Sequence, residues 1–231
     1  MSSRSSMLDQ LVAKVTSFEL ARPLRIAIDG RTASGKTTFA DELAQRIRIQ
    51  NREIIRTSID EFHLPKADRY ARGRLSAEGY YHDGYDLPAV VAFLLRPLGP
   101  GGDRLYRTAS FDLVKDQPVE QEPKLAPEDA ILIVDGTFLQ RPELVAEWDL
   151  VIFLESSEEV SESRGINRDR ELLGGEDSAR RLYAERYLPA FEQYERLCSP
   201  KVTADAIVNN DDFEFPILSI PRDSRLAVNF Q

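Results

Sequence analysis

Apolar positions along this chain follow two kinds of pattern. Near the start, Leu8, Leu11, Val12, Val15 and Phe18 recur every three or four residues. That spacing predicts an amphipathic helix from about Met7, which Pro23 ends. Later segments are apolar at almost every position, 24–28, 131–134, 150–154 and 206–208, and 53–58 is a further strand rich in isoleucine. Strands covered on both faces read in this way, because neither face can carry solvated side chains. Helical stretches separate them at 37–50, at about 88–95 and over 157–197, the last rich in arginine. Buried strands alternating with helices predict a doubly wound, three-layer α/β fold around a five-stranded parallel sheet. Residues 60–88 break the pattern with polar, aromatic and basic side chains. Residues 97–102 read as a loop, and 103–130 as irregular chain with short strands.

One of the junctions carries chemistry. Gly30-Arg31-Thr32-Ala33-Ser34-Gly35-Lys36-Thr37 fits G-x-x-x-x-G-K-[ST], between a predicted strand and a predicted helix. In such a phosphate-binding loop, glycines let the backbone curl so that successive N–H groups face phosphate oxygens. The helix that follows adds its positive N-terminal end. Gly30, Thr32, Ala33, Ser34, Gly35, Lys36, Thr37 and Thr38 are therefore the expected nucleotide contacts. Lys36 would serve the β- and γ-phosphates and the Thr37 hydroxyl would serve Mg²⁺. The motif implies a nucleoside triphosphate without choosing among kinase, switch GTPase and motor. No Asn-Lys-x-Asp base-reading motif is present, and a compact chain with a late arginine-rich segment suits a small-molecule kinase.

Two acids occupy positions that such an enzyme needs. Asp60 follows the second strand, at the carboxyl end of the sheet where ligands bind in this architecture. It could take the proton of an attacking hydroxyl or hold metal-bound water. Asp135 ends the third apolar run and matches the acid that helps place Mg²⁺. Either could instead cap a helix or a turn. Arg164 and Arg168 share a helix face and form a candidate lid over the phosphates, or else a solvated, ion-paired face. Arg180, Arg181 and Arg186 are expected to be surface or structural residues. The aromatic stretch holds the candidate acceptor contacts His63, Tyr81 and Asp83, to which Phe111 is added; the alternative is a loop packed by its own tyrosines. Cys198 and Trp148 read as packing residues.

Composition narrows the partners. The 231 residues carry 30 Lys+Arg against 39 Asp+Glu, a net charge of −9. Such a chain is a poor match for polymeric nucleic acid or an anionic membrane, whereas a polyphosphate site can be built locally. A single cysteine excludes an internal disulfide framework, and two histidines leave little for a His-based metal cluster. With no secretory or membrane-spanning segment in view, the expected setting is cytoplasmic. The expected organisation is an N-terminal helix over 1–22 and a kinase domain over 23–215. That domain would hold an acceptor-binding insertion at about 60–128 and a lid at about 157–186, before a tail at 216–231. Homo-oligomerisation stays open.

These motifs together resemble the uridine kinase / phosphoribulokinase family of P-loop kinases. The resemblance rests on the loop 30–37, Ser58-Ile59-Asp60-Glu61-Phe62-His63, Val134-Asp135-Gly136, Arg164…Arg168-Asp169 and Tyr187…Pro189…Tyr194…Pro200. It implies a P-loop NTPase fold with sheet order 2-3-1-4-5 and an arginine-bearing helical lid. It also implies ATP and Mg²⁺ as cofactors and transfer of a phosphoryl group to a small-molecule hydroxyl acceptor. Lys36, Asp60, Arg164 and Arg168 take the catalytic roles; Thr37, Asp60 and Asp135 face the metal. A nucleoside, uridine or cytidine, is the expected acceptor. Two segments depart from uridine kinases: Tyr81-His82-Asp83-Gly84-Tyr85-Asp86 stands where His-Pro-Asp-Ala-Phe-Asp is usual, and Phe111-Asp112-Leu113-Val114-Lys115-Asp116 lacks the usual histidine and arginine. Pantothenate, a sugar or a regulatory protein without acceptor chemistry are the alternatives.

Overall fold

The computed structural model describes residues 3–50 and 52–227. Its main sheet is built from β1 (Leu24–Asp29), β2 (Ile54–Ser58), β3 (Ile131–Gly136), β4 (Leu150–Glu155), β5 (Ala206–Asn209) and β6 (Ile217–Ser219). The spatial order is 2-3-1-4-5-6. The first five strands in that order are parallel, as the apolar runs and the resemblance predict. β6 is a correction to the five-stranded expectation. It lies within the expected tail and pairs antiparallel with β5, Leu218 opposite Val208. Three residues are too few to show a period, and only Leu218 of the three is half-buried.

Alternation along the central strands builds a core on each side of the sheet. Ile26, Ile28, Ile131 and Ile133 face helices α1 (Arg4–Thr16) and α2 (Lys36–Arg48), packing with Leu11, Val15, Phe39 and Leu43. Ala27, Leu132, Val134, Val151 and Phe153 face the opposite side, against Phe62, Phe138, Phe191 and Tyr194. Ser3 caps α1, its side chain accepting from the Ser6 N–H. Arg4, in the first turn, is buried and pairs with Glu42 at 2.7 Å.

The insertion after β2 opens with a tight turn, Ile59–Phe62, and continues to α3 (Ala77–Asp83), capped by Ser76. Two small hairpins follow, pairing Leu105–Tyr106 with Lys124–Leu125 and Phe111–Asp112 with Gln117–Pro118. The predicted helix at 88–95 is helical over Leu87–Val90 and then widens into a π turn, Val91–Leu95. The long helical stretch at 157–197 divides into α4 (Glu158–Asp169), α5 (Glu176–Leu182) and α6 (Leu188–Cys198). Gly174 and Gly175, at φ 82° and 125°, break it after α4. A π turn over Tyr183–Tyr187 precedes Pro189, whose ring cannot donate back along a regular helix.

Candidate active site

The carboxyl ends of β1, β2 and β3 meet in register, with Ile28 and Ser58 both beside Asp135. The phosphate-loop segment leaves β1 there. Gly30 passes so close to β4 that a Cβ would lie 2.4 Å from the Leu154 carbonyl oxygen. Gly35, at φ 95°, turns the chain into α2, which begins at Lys36. Behind the loop, the Asn210 side chain donates to the Ser34 carbonyl at 2.8 Å and accepts from Arg4 at 2.8 Å. The N-terminal helix is thus tied to the loop. Ser34 Oγ is buried without a hydrogen-bond partner, an orphan that a phosphate oxygen would satisfy.

The Lys36 ammonium donates to the Arg31 carbonyl at 2.6 Å. Burial lowers its pKa to about 8, although Asp135, Asp29 and Asp60 favour the charged form. The Thr37 hydroxyl donates to Asp135 Oδ2 at 2.7 Å, and Arg56 reaches Asp135 Oδ1 at 2.7 Å. A hydroxyl beside a carboxylate is an all-oxygen donor set of the kind Mg²⁺ accepts, the ion keeping phosphate and water as its other ligands. Among the described residues no group of three or more His, Cys, Asp or Glu forms a metal cage. The residues present therefore fit Mg²⁺ arriving with a nucleotide, and the loop's orphaned Ser34 fits its phosphates.

Asp60 sits in the turn after β2, its backbone N–H bonded to Ser58 Oγ at 3.3 Å. Its carboxylate is 61% exposed and faces two adjoining spaces. One is a cleft of about 550 Å³ over the loop, with Lys36, Thr37, Asp135, Arg164 and Arg168 in its walls. The other is a cavity of about 270 Å³ lined by His63, Tyr80, Tyr85, Arg69, Arg186 and others. The Tyr85 hydroxyl donates to Asp60 Oδ1 at 3.1 Å, and His63 Nε2 lies 3.6 Å from the same oxygen. His63 stacks on Tyr85 at 4.6 Å and its Nδ1–H donates to the Gly84 carbonyl at 2.8 Å. Burial lowers the His63 pKa against the pull of Asp60, so the ring is neutral at pH 7 and turns Nε2 toward Asp60.

Both lid candidates reach the cleft, in different ways. Arg164 is fixed, donating to the Asn210 and Asp211 carbonyls at 2.9 Å each. Arg168 lines both spaces, and its hydrogen bond to Asp169 raises its pKa further. Arg180 and Arg181 pair with Glu176 and Glu185 on the surface, as expected.

Three acceptor candidates lie elsewhere. Tyr81 turns into the core, edge-on to Phe138 at 5.1 Å, with its hydroxyl 3.7 Å from Cys198 Sγ. The next residue along a helix points about 100° away, so Tyr80, whose hydroxyl is 3.2 Å from Thr32 Oγ1, faces the cavity in its place. Asp83 pairs outside the cavity with Arg72 at 2.8 Å. Phe111 is buried in its hairpin, and Leu113 from the same hairpin reaches the cavity. Arg186, expected at the surface, is buried against Tyr70 and Tyr80 and lines the cavity. Sequence reasoning also passed over Asp29. This buried carboxylate at the end of β1 accepts from Gly30 N–H at 2.8 Å, Gln140 Nε2 at 2.9 Å and the Tyr194 hydroxyl. Burial raises its pKa while those hydrogen bonds oppose the rise. An acid ending an apolar run directly before the loop was a signal of the same kind as Asp135.

Residues 25–211 match the model of the phosphoribulokinase / uridine kinase family. The chain belongs to this family of P-loop kinases. Among similar proteins, uridine-cytidine kinase B of Dictyostelium discoideum is 28% identical over 188 residues, spanning 80% of this chain and 74% of that protein. A uridine kinase of Leuconostoc citreum is 25% identical over 149 residues, covering 64% and 69% respectively. Among solved structures, one described as a possible uridine kinase from Bacillus stearothermophilus superposes with a TM-score of 0.68 at 25% identity, covering 87% of this chain and 96% of that one. As a member of the family the chain is a phosphotransferase of the ATP-binding P-loop type. Among the described residues no helix is long and apolar enough to cross a membrane.

Proposed function

We propose that this kinase transfers the γ-phosphoryl group of ATP to a hydroxyl of a small molecule held beyond Asp60. The observation that carries the reading is the position of Asp60, the one carboxylate common to the walls of both spaces. Donor phosphates lie on one side and the acceptor hydroxyl on the other. Mg²⁺, bound with the nucleotide at Thr37 and Asp135, supplies charge neutralisation on the phosphates. Lys36 exchanges its Arg31 carbonyl for phosphate oxygen, and Arg168 spreads its charge over the group in transit. Asp60 takes the acceptor proton as the new P–O bond forms and ADP departs. The Tyr85 hydroxyl, donating to Asp60 Oδ1, holds the carboxylate in line without adding charge. The fixed Arg164 shapes the cleft wall.

The names of the relatives support uridine or cytidine as acceptor, and the departures at 81–86 and 111–116 support another alcohol. The single cysteine and the metabolite-sized cavity suit a cytoplasmic enzyme acting on a small molecule. The test is phosphoryl transfer from labelled ATP to a panel of nucleosides, sugars and other alcohols. Asp60→Asn should lower kcat by roughly 10²- to 10⁴-fold and leave the Kd for ATP within about twofold. Near wild-type turnover in that variant would remove Asp60 from the mechanism.

A further inference from the structure

The cavity beyond Asp60 holds more positive charge than a neutral acceptor requires. Arg69, Arg74, Arg168 and Arg186 line it, and Asp60 is the only carboxylate in its wall. Arg168 is engaged by Asp169 at 2.7 Å, and Arg69 reaches Asp116 at 3.3 Å. Arg74 and Arg186 have no carboxylate within ion-pair distance among the described residues. Arg74 is exposed, while Arg186 is only 5% exposed.

The surroundings of Arg186 are those of a charge awaiting a partner. Its guanidinium lies over Tyr80 at 4.9 Å and Tyr70 at 5.1 Å, and it donates one hydrogen bond, to the Arg74 carbonyl. The aromatic faces hold the cation in a set orientation without neutralising it. Its remaining N–H groups are left open to the cavity, where an anion would meet them. Its planar fork matches the oxygens of a phosphate or a carboxylate. His63, the other basic group near Asp60, is neutral and leaves that role to the arginines.

We propose that the acceptor carries an anionic group, a phosphate monoester or a carboxylate, that docks on Arg186 and Arg74 while its free hydroxyl faces Asp60. This rests on the kinase reading above and names the substrate class for it. The transfer balances in the usual way. The β,γ-bridging P–O bond of ATP breaks, the acceptor oxygen bonds to the γ-phosphorus, and its proton passes to Asp60. ADP leaves, and the product carries one phosphoryl group more. The cavity of about 270 Å³ suits a compound of sugar-phosphate or hydroxy-acid size. A neutral nucleoside would leave Arg186 unpaired.

Matched acceptors isolate the anion: ribose 5-phosphate against ribose, and glycerate against glycerol, with uridine and cytidine alongside. The two pairs also tell phosphate from carboxylate. With ATP and Mg²⁺, at least one anionic member should exceed its neutral partner and both nucleosides by roughly tenfold or more in kcat/KM. Arg186→Gln should raise the KM for that acceptor by roughly 10- to 100-fold and leave the KM for ATP nearly unchanged. Arg74→Gln, at an exposed position that the fold tolerates, should act in the same direction. A preference for uridine or cytidine over every anionic compound, or an unaltered acceptor KM in both variants, overturns the proposal. If ATP binds and no compound is phosphorylated, the kinase reading falls. The anion site is then judged by calorimetry with a non-hydrolysable ATP analogue in the loop. Tighter binding of ribose 5-phosphate than ribose sustains the site, and equal binding overturns it.

Discussion

Lys36 provides the sharpest physical test, because its charge is expensive before ATP arrives. Burial takes its pKa from the ordinary 10.5 to about 8, which corresponds to about 3 kcal/mol against the ammonium in the free protein. The sign follows from proton counting. Below pH 8 both folded and unfolded chains hold the proton, and the folded state bears the whole burial cost. Between pH 8 and 10.5 the unfolded chain holds more protons, so this group makes stability rise with pH. ATP reverses the situation, since its phosphates restore the ammonium. Near pH 8 about half of the free molecules carry the charge and essentially all complexes do, so binding takes up about half a proton. Raising the pH from 8 to 9 should weaken ATP binding by roughly fivefold. Titration calorimetry in two buffers of different ionisation heat counts the protons, and the same experiment gives Kd at each pH. Lys36→Met should abolish the uptake and weaken ATP binding severely. Without nucleotide at pH 7 it should melt higher than wild type, by up to about 3 kcal/mol of stability. A Kd for ATP that stays flat from pH 7.5 to 9.5, with no proton uptake, would refute the reasoning.

Two further perturbations separate the site from its scaffold. Tyr194→Phe removes a donor from the buried Asp29 carboxylate and should cost about 1–3 kcal/mol in urea unfolding, weakening ATP binding with it because Gly30 hangs on the same carboxylate. A variant as stable as wild type would mean that Asp29 is held by its other donors alone. Tyr81→Phe should leave acceptor KM within about twofold and stability within about 1 kcal/mol, since the Tyr81 hydroxyl meets only Cys198; a large rise in KM would return that side chain to the cavity.

The buried strands and the loop could be read in the sequence because their physics is local, whereas the strand order came with the family resemblance. A strand sandwiched between helices must be apolar throughout, and a phosphate cradle must have glycine where Leu154 or Asn210 leaves no space for a Cβ. The acceptor side resisted for the opposite reason. Tyr80 and Tyr81 are neighbours of almost identical chemistry, and only the rotation of α3 against the core decides which faces the cavity. Arg186 comes well over a hundred residues after Arg69 and joins it only when α3 packs beneath the π turn before α6. Arg164 and Arg168 share a helix face as the spacing implied, and the chain after β5 captures one of them. β6 depends on the chain returning to cover an edge, which three residues do not announce.

The proposed placement of Asp60 between donor and acceptor would have a cost when the acceptor is absent. A carboxylate that can take a proton from a sugar or acid hydroxyl can take one from water in the same place, and water is never scarce. On the proposed mechanism, idle loss of ATP would be set by how well solvent is kept from that one oxygen.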